Sequence, residues 1–340
     1  MVTDEDKVSP PVHSQVSQLM WGFIATQALH VAAKLAVFDL LRDGPKTAPQ
    51  LADASACQEF PLRRLLRFLT TVGVLTEDER GRFCSTAYGE LLRSDHPQSV
   101  RALALMYGEP FFWKSWGDLY ETLKAGEPAF ERVHGEPLFD YLARHPAAAT
   151  VFNAGMISVS NLDVPAILEA YDFSSFAKIV DVAGGHGMML RSILERCPNS
   201  RGILCEPPSV IAGAAAIRDS GAATRCELVG ADFFQSVPAG GDAYLLKRVL
   251  HDWNDDQAVR ILQTCRRAIA AGGKVLVMDA VVKPSNEPDP AKWMDLNMLT
   301  LLTGRERTAA EFDDLYARAG FRLTRIVPAM RVSIVEGVAA

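Results

Sequence analysis

A chain of 340 residues is too long for one compact core and implies two domains. Hydrophobic residues make up 49 % and charged residues 22 %, and 41 acidic against 35 basic residues leave a net charge of −6. This is an ordinary globular mixture, and the acidic balance excludes a protein whose main work is coating nucleic acid. Six cysteines lie scattered without a CxxC pair. They read as reduced thiols of a cytoplasmic protein, with no disulfide framework and no zinc site.

Residues 1–12 read as a loose arm without the character of a signal peptide. A helical pattern follows from Gln15 to about Asp43, where Asp43-Gly44-Pro45 stops it. The most apolar early stretch, 22–38, is broken by Gln27, His30 and Lys34, so no membrane-crossing helix is expected. Thr47 caps a short helix over 49–54. Pro61 opens another, with Leu62, Leu65, Leu66 and Leu69 at i, i+3, i+4, i+7 spacing. Short strands over 73–76 and 82–86 flank a turn. Three helices and a hairpin in this order are those of a winged-helix unit. Residues 100 to about 172 are predicted to be mostly helical and rich in large side chains. Most of these suit a core, but the run from Phe111 to Trp116 suits equally the lining of a pocket for a flat substrate. Trp113 and Met156 are the candidate substrate contacts there.

From Lys178 strand and helix alternate. Strands are predicted over 178–182, 202–206, 226–229, 243–246 and 274–279, with helices over 188–196, 210–220 and 255–270. The pattern is that of an α/β, doubly wound, Rossmann-like parallel sheet. Ligands on such sheets sit beyond the carboxyl ends of the strands. After the first strand stands Asp181-Val-Ala-Gly-Gly-His-Gly187. It lacks the third glycine of a dinucleotide fingerprint, since Leu190 stands there, and instead fits an acid followed by Gly-x-Gly, as methyltransferases use to hold S-adenosylmethionine. The second strand ends at Glu206, placed to accept ribose hydroxyls. The third leads to Asp232 and Phe233, suited to an adenine amino group and ring face, although Phe233 would pack equally well in a core. The fourth runs into Leu246-Lys-Arg-Val-Leu-His-Asp-Trp253. This puts His251 at the ligand-binding edge, where an imidazole can take a proton near neutral pH.

Taken together, the runs VDVAGGHG, LCEPP, GADFF, LKRVLHDWNDDQAVRIL, GGKVLVMDAVV and DLNMLTLLTGRERTAAEF resemble the small-molecule O-methyltransferases of the plant caffeate and bacterial anthracycline and polyketide type. The resemblance covers roughly residues 15–337. It implies a winged-helix dimerisation domain over 1–105, and a helical substrate-covering segment plus the Rossmann-like catalytic domain over 106–340. It implies an enzyme that methylates a hydroxyl of an aromatic small molecule in secondary metabolism, with S-adenosylmethionine as cofactor and no metal. The chain would act as a cytoplasmic homodimer without nucleic-acid or membrane partners. Carried over, the resemblance makes Asp181, Gly184, Gly185 and Gly187 the methionine-side loop. Glu206, Asp232, Phe233 and Lys247 become the remaining cofactor contacts. His251 becomes the general base, flanked by Asp279 and Glu306, while Asp252 and Asn297 join Trp113 and Met156 at the acceptor. The chain departs from the pattern at Ala183, where a glycine is usual, and at Asp279, one methylene shorter than the common Glu.

A phenol, pKa about 10, must lose its proton to an imidazole of about 6.5, a gap on the order of 5 kcal/mol. A carboxylate on the other ring nitrogen narrows it. Other readings share the fold: methylation of nitrogen or sulfur, or a non-methylating decarboxylase or hydroxylase. A winged-helix transcription regulator is a third class. Against it, residues 1–100 hold 10 Lys/Arg and 12 Asp/Glu.

Overall fold

The computed structural model describes residues 11–211 and 213–340, so the first ten residues of the predicted arm lie outside the described residues. The chain divides into two compact units. One comprises residues up to Trp113 together with Thr150–Ser158; the other comprises Lys114–Ala149 and Val159–Ala340.

In the first unit, helices Gly22–Lys34, Ala48–Ser55 and Glu59–Thr71 surround a core of Phe38, Leu51, Leu62, Leu66, Leu69, Leu75 and Phe83. Strands β1 (Lys46–Thr47), β2 (Leu75–Glu77) and β3 (Arg82–Ser85) form an antiparallel sheet in the order β1-β3-β2. Thr47 closes a capping box with Gln50, which fixes where its helix starts. The single helix expected over 15–43 is three: Val12–Met20, Gly22–Lys34 and Val37–Leu40. One break falls at Ala36, held in the left-handed region at φ +52°, a conformation that alanine does not announce. Helix Val12–Met20 buries none of its residues, and Val12, Leu19, Met20, Trp21 and Phe23 are all exposed.

The second unit is built on seven strands. β4 (Lys178–Val182), β5 (Arg201–Glu206), β6 (Cys226–Gly230), β7 (Ala243–Lys247) and β8 (Lys274–Asp279) run parallel. Two short strands, β9 (Val281–Val282) and β10 (Arg307–Thr308), pair separately. β11 (Phe321–Ala329) and β12 (Val332–Ala339) form a hairpin whose second strand lies antiparallel to β8. The order is β11-β12-β8-β7-β4-β5-β6, so the predicted parallel sheet is mixed at one end. Both faces are covered, as near-continuous apolar strands require. Ile179, Leu245 and Leu276 pack with Met189 and Ile193 on one side, while Val180, Tyr244, Leu246 and Val275 pack with Ile261 and Phe312 on the other.

Chain direction across the sheet reverses at β4, which lies between β5 and β7. The crevice beyond the carboxyl ends of these three strands is therefore where a ligand belongs. The helix Met188–Arg196 and strand Lys274–Asp279 fall where the sequence places them. The helix expected over 210–220 is instead two single turns, Pro208–Ile211 and Ala215–Arg218.

Against the expectation of no membrane-crossing helix, Pro146–Ala170 is long and apolar enough to cross a membrane. Its Asp163 is buried and ion-paired with Arg248 and Arg331. Its Ser158 hydroxyl donates to the Ser99 carbonyl. These contacts tie the helix to other segments of the chain.

Candidate active site

From β4 the backbone turns through Ala183-Gly-Gly-His-Gly187 into the helix Met188–Arg196. Ala183, Gly185 and Gly187 all take positive φ, at +56°, +62° and +80°. Gly187 is doubly constrained, because a Cβ there would also collide with Ile217. A Cβ on Gly184 would enter the Asp181 carboxylate, whereas at Gly185 nothing lies within 4 Å. The loop is thus folded over Asp181 on one side and open on the other.

Two carboxylates stand under this loop. Asp181 is fully buried with neither oxygen hydrogen-bonded, and burial pushes its pKa up to about 7 against the pull of Lys247. Glu206 accepts the Gly185 N–H; burial raises it to about 8, with that hydrogen bond pulling down and Asp181 adding to the rise. Asp181, buried without a hydrogen bond, and Glu206, held by a single N–H, both have room for a further partner beside the open glycine loop. An ammonium for Asp181 and ribose hydroxyls for Glu206 suit that room, so the donor set fits S-adenosylmethionine. Lys247, at the end of β7, donates to Ser160 Oγ at 2.9 Å. Asp232 is exposed, and its oxygens accept from the Phe234 N–H and from Gln235 Nε2, both at 2.9 Å. Phe233 packs against Phe234 with ring centroids 5.0 Å apart.

His251 lies on a 3₁₀ turn, Leu250–Asp252, just past β7 and is 6 % exposed. Its Nδ1–H donates to Glu306 Oε1 at 2.7 Å, and Nε2 stands 3.4 Å from Asp252 Oδ1. Asp279, at the end of β8, accepts the His251 backbone N–H at 3.2 Å. The shorter side chain therefore reaches the backbone rather than the ring. Burial alone would lower the imidazole pKa, but Glu306, Asp252 and Asp279 outweigh it and raise it to about 9. Asp252 is itself pushed up to about 7 by burial, against the pull of His251. Asn297 is half-buried on helix Pro290–Leu301 of the same unit, while Trp113 and Met156, also half-buried, belong to the first unit.

The family model described as an O-methyltransferase domain matches residues 116–322, and one described as an O-methyltransferase dimerisation domain matches residues 17–95. This chain belongs to the O-methyltransferase family. It is 43 % identical over 328 residues to phenazine O-methyltransferase PhzM of Lysobacter antibioticus, covering 96 % of each chain. It is 40 % identical over 306 residues to 8-amino-8-demethylriboflavin N,N-dimethyltransferase of Streptomyces davaonensis, covering 88 % of each. Among solved structures, CalO1, a methyltransferase in calicheamicin biosynthesis in its SAH-bound form, superimposes with a TM-score of 0.85 at 37 % identity. That match covers 99 % of this chain and all of that one. The Rossmann-like methyltransferase fold and the dimerisation domain are thus those of the family.

The sequence gives little sign of the supports behind His251. Glu306 is fixed by its own N–H, which donates to Asp295 Oδ1 at 2.9 Å. Arg307, 1 % exposed, donates to the carbonyls of Leu250 and Trp253 and to Asp255, tying both sides of the His251 turn. A Cβ on Gly304 would strike the His251 carbonyl. Gly304 and Arg307 stand in the GRERT run, the one local signal that pointed at this support. Among the described residues no group of three His, Cys, Asp or Glu could hold a metal ion.

Proposed function

We propose that the chain methylates a phenolic hydroxyl of an aromatic secondary metabolite, with His251 as general base and without a metal. The observation that carries this reading is the Glu306–His251 pair at the carboxyl edge of the sheet, with Nδ1 committed to Glu306 at 2.7 Å. When bound, S-adenosylmethionine, the family's cofactor, supplies the methyl group on a sulfonium sulfur. Asp181, Gly184, Gly185 and Gly187 would hold its methionine side, Glu206 its ribose, Asp232 and Phe233 its adenine, and Lys247 would help to position it. Asp252, Asn297, Trp113 and Met156 would take the acceptor. With the imidazole at about 9, the gap to an ordinary phenol shrinks to about one unit, on the order of 1.4 kcal/mol. Glu306, Asp252 and Asp279 together narrow that gap for the fraction of His251 that is neutral, and Glu306 holds the tautomer that leaves Nε2 to receive the proton. The proton-accepting form of His251 grows with pH up to about 9, so kcat/KM should rise over that range.

We take residues 1–105 as the dimerisation domain and 106–340 as the catalytic domain with its helical cover. The exposed apolar face of Val12–Met20 supports a homodimer. The relationship to an N,N-dimethyltransferase keeps amine acceptors as a second reading. Labelled methyl transfer to matched hydroxy- and amino-phenazines separates the two. His251→Ala should lower kcat on ordinary phenols by about 10²–10⁴-fold. The loss should be much smaller for electron-poor phenols already ionised at the assay pH, with cofactor affinity unchanged. A loss independent of acceptor pKa, or near-normal rates on ordinary phenols, would refute the base.

A further inference from the structure

Helix Pro146–Ala170 and the turn after β7 share a charged contact that the chemistry above leaves unused. Asp163 is 1 % exposed. Its Oδ2 accepts from Arg248 Nε at 2.7 Å, and its Oδ1 accepts from Arg331 at 2.9 Å. Three residues earlier, on the same helix face, Ser160 accepts from Lys247. One helix face therefore grips two consecutive residues, Lys247 and Arg248. Burial pushes the Asp163 carboxyl up, yet Arg248, Arg331 and Lys247 hold it below its ordinary value.

Arg248 has φ +54°. For a non-glycine residue this conformation is strained, and it persists only where the surroundings over-determine it. Two contacts do so here: its N–H donates to the Met278 carbonyl at 3.1 Å, and its guanidinium is held by Asp163. His251 follows three residues on. A buried ion pair adds little net stability over apolar packing and is best understood by the geometry it fixes.

We propose that Asp163 is a positioning residue whose hold on Arg248 maintains the left-handed turn that places Lys247 and His251. The proposal rests on the reading of those two residues given above. Glycine adopts the same φ without strain. Arg248→Gly should therefore keep the turn although it deletes the guanidinium, whereas Arg248→Ala should lose it. Two readouts need no acceptor: the downfield proton resonance of the His251 Nδ1–H, assigned by its absence in His251→Gln, and calorimetric affinity for S-adenosylhomocysteine. Arg248→Ala and Asp163→Asn should each broaden or abolish the resonance and weaken binding about tenfold or more, the scale of one lost charged hydrogen bond. Arg248→Gly should retain both, and Asp163→Asn added to Arg248→Gly should have little further effect. Equal behaviour of the glycine and alanine variants, or an Asp163→Asn protein that melts lower but keeps resonance and affinity, would overturn the proposal. If Asp163→Asn does not fold, the two Arg248 variants decide alone. Failure of the base reading shows separately, as near-normal methyl transfer by His251→Ala, and leaves this comparison intact.

Discussion

The two ends of β8 treat buried charge in opposite ways. At its start, Lys274 donates to Glu336 at 3.0 Å. Glu336 also accepts from Tyr171 at 2.6 Å, Thr324 at 2.7 Å and Arg325 at 3.0 Å. Burial pushes Glu336 up, but these four donors win and hold it at about 2. At the other end, Asp279 Oδ1 and Glu306 Oε2 are buried without hydrogen bonds, as are both oxygens of Asp181 two strands away on β4. Burial raises Asp181 and Glu206 to about 7 and 8. A satisfied cluster stabilises the fold. An unsatisfied one costs stability and is kept where a ligand completes it.

The sharpest break in this contrast comes from exchanging the losses. Glu206→Ala should weaken S-adenosylmethionine binding by about 1.5–3 kcal/mol, as for a hydrogen bond to a charged group, yet leave the melting of the free protein unchanged or higher. Calorimetric titration with unchanged affinity would remove Glu206 from the ribose site. Glu336→Gln should do the reverse, costing about 2 kcal/mol of stability while cofactor affinity holds.

The pH dependence should separate the ends as well. Glu336 is depressed from 4.5 to about 2, so its contribution is present above about 4.5 and lost as pH falls through 2. The deficit of Glu336→Gln should therefore shrink between pH 5 and 2. His251, Asp181 and Glu206 are all raised, to about 9, 7 and 8. Their contributions are complete below their unfolded values and lost as pH climbs through those raised ones. Thermal melts of the free protein should thus fall from about pH 5 to 9, less steeply in Glu206→Ala. The smallest effect is expected at Ala183, φ +56°. Ala183→Gly relieves left-handed strain of about 1–2 kcal/mol but adds unfolded-state entropy of about 0.5–1 kcal/mol. The melting temperature should rise by about 1–3 °C; a decrease would show that the Ala183 methyl packs favourably.

These two ends also differ in how far the sequence exposes them. The ligand edge is legible because its signals are local: a glycine loop between a strand and a helix, an acid at a strand end, and a histidine run with its own N-cap. The bonds that brace it are not local. Asp163 finds Arg248 and Arg331 at separations of 85 and 168 residues, and Tyr171 finds Glu336 at 165. Nothing in the periodicity of a helix announces such a partner. Breaks in helices fail for a related reason. Ala36 takes a left-handed turn that Gly or Asn would have advertised, so one of the two breaks in the pattern from Gln15 onward has no signal in the sequence.

The place of β12 in the sheet bears on how this chain comes to exist at all. β8 is complete at Asp279, but its second neighbour begins only at Val332. At a synthesis rate of about 5–20 residues per second, roughly 3–10 s separate the two. A sheet formed in that interval would carry an open edge along Val275, Leu276 and Val277, the kind of edge that recruits foreign strands. β8, central in the finished sheet, is thus flanked on one side by a strand made before it and on the other by one made well after it.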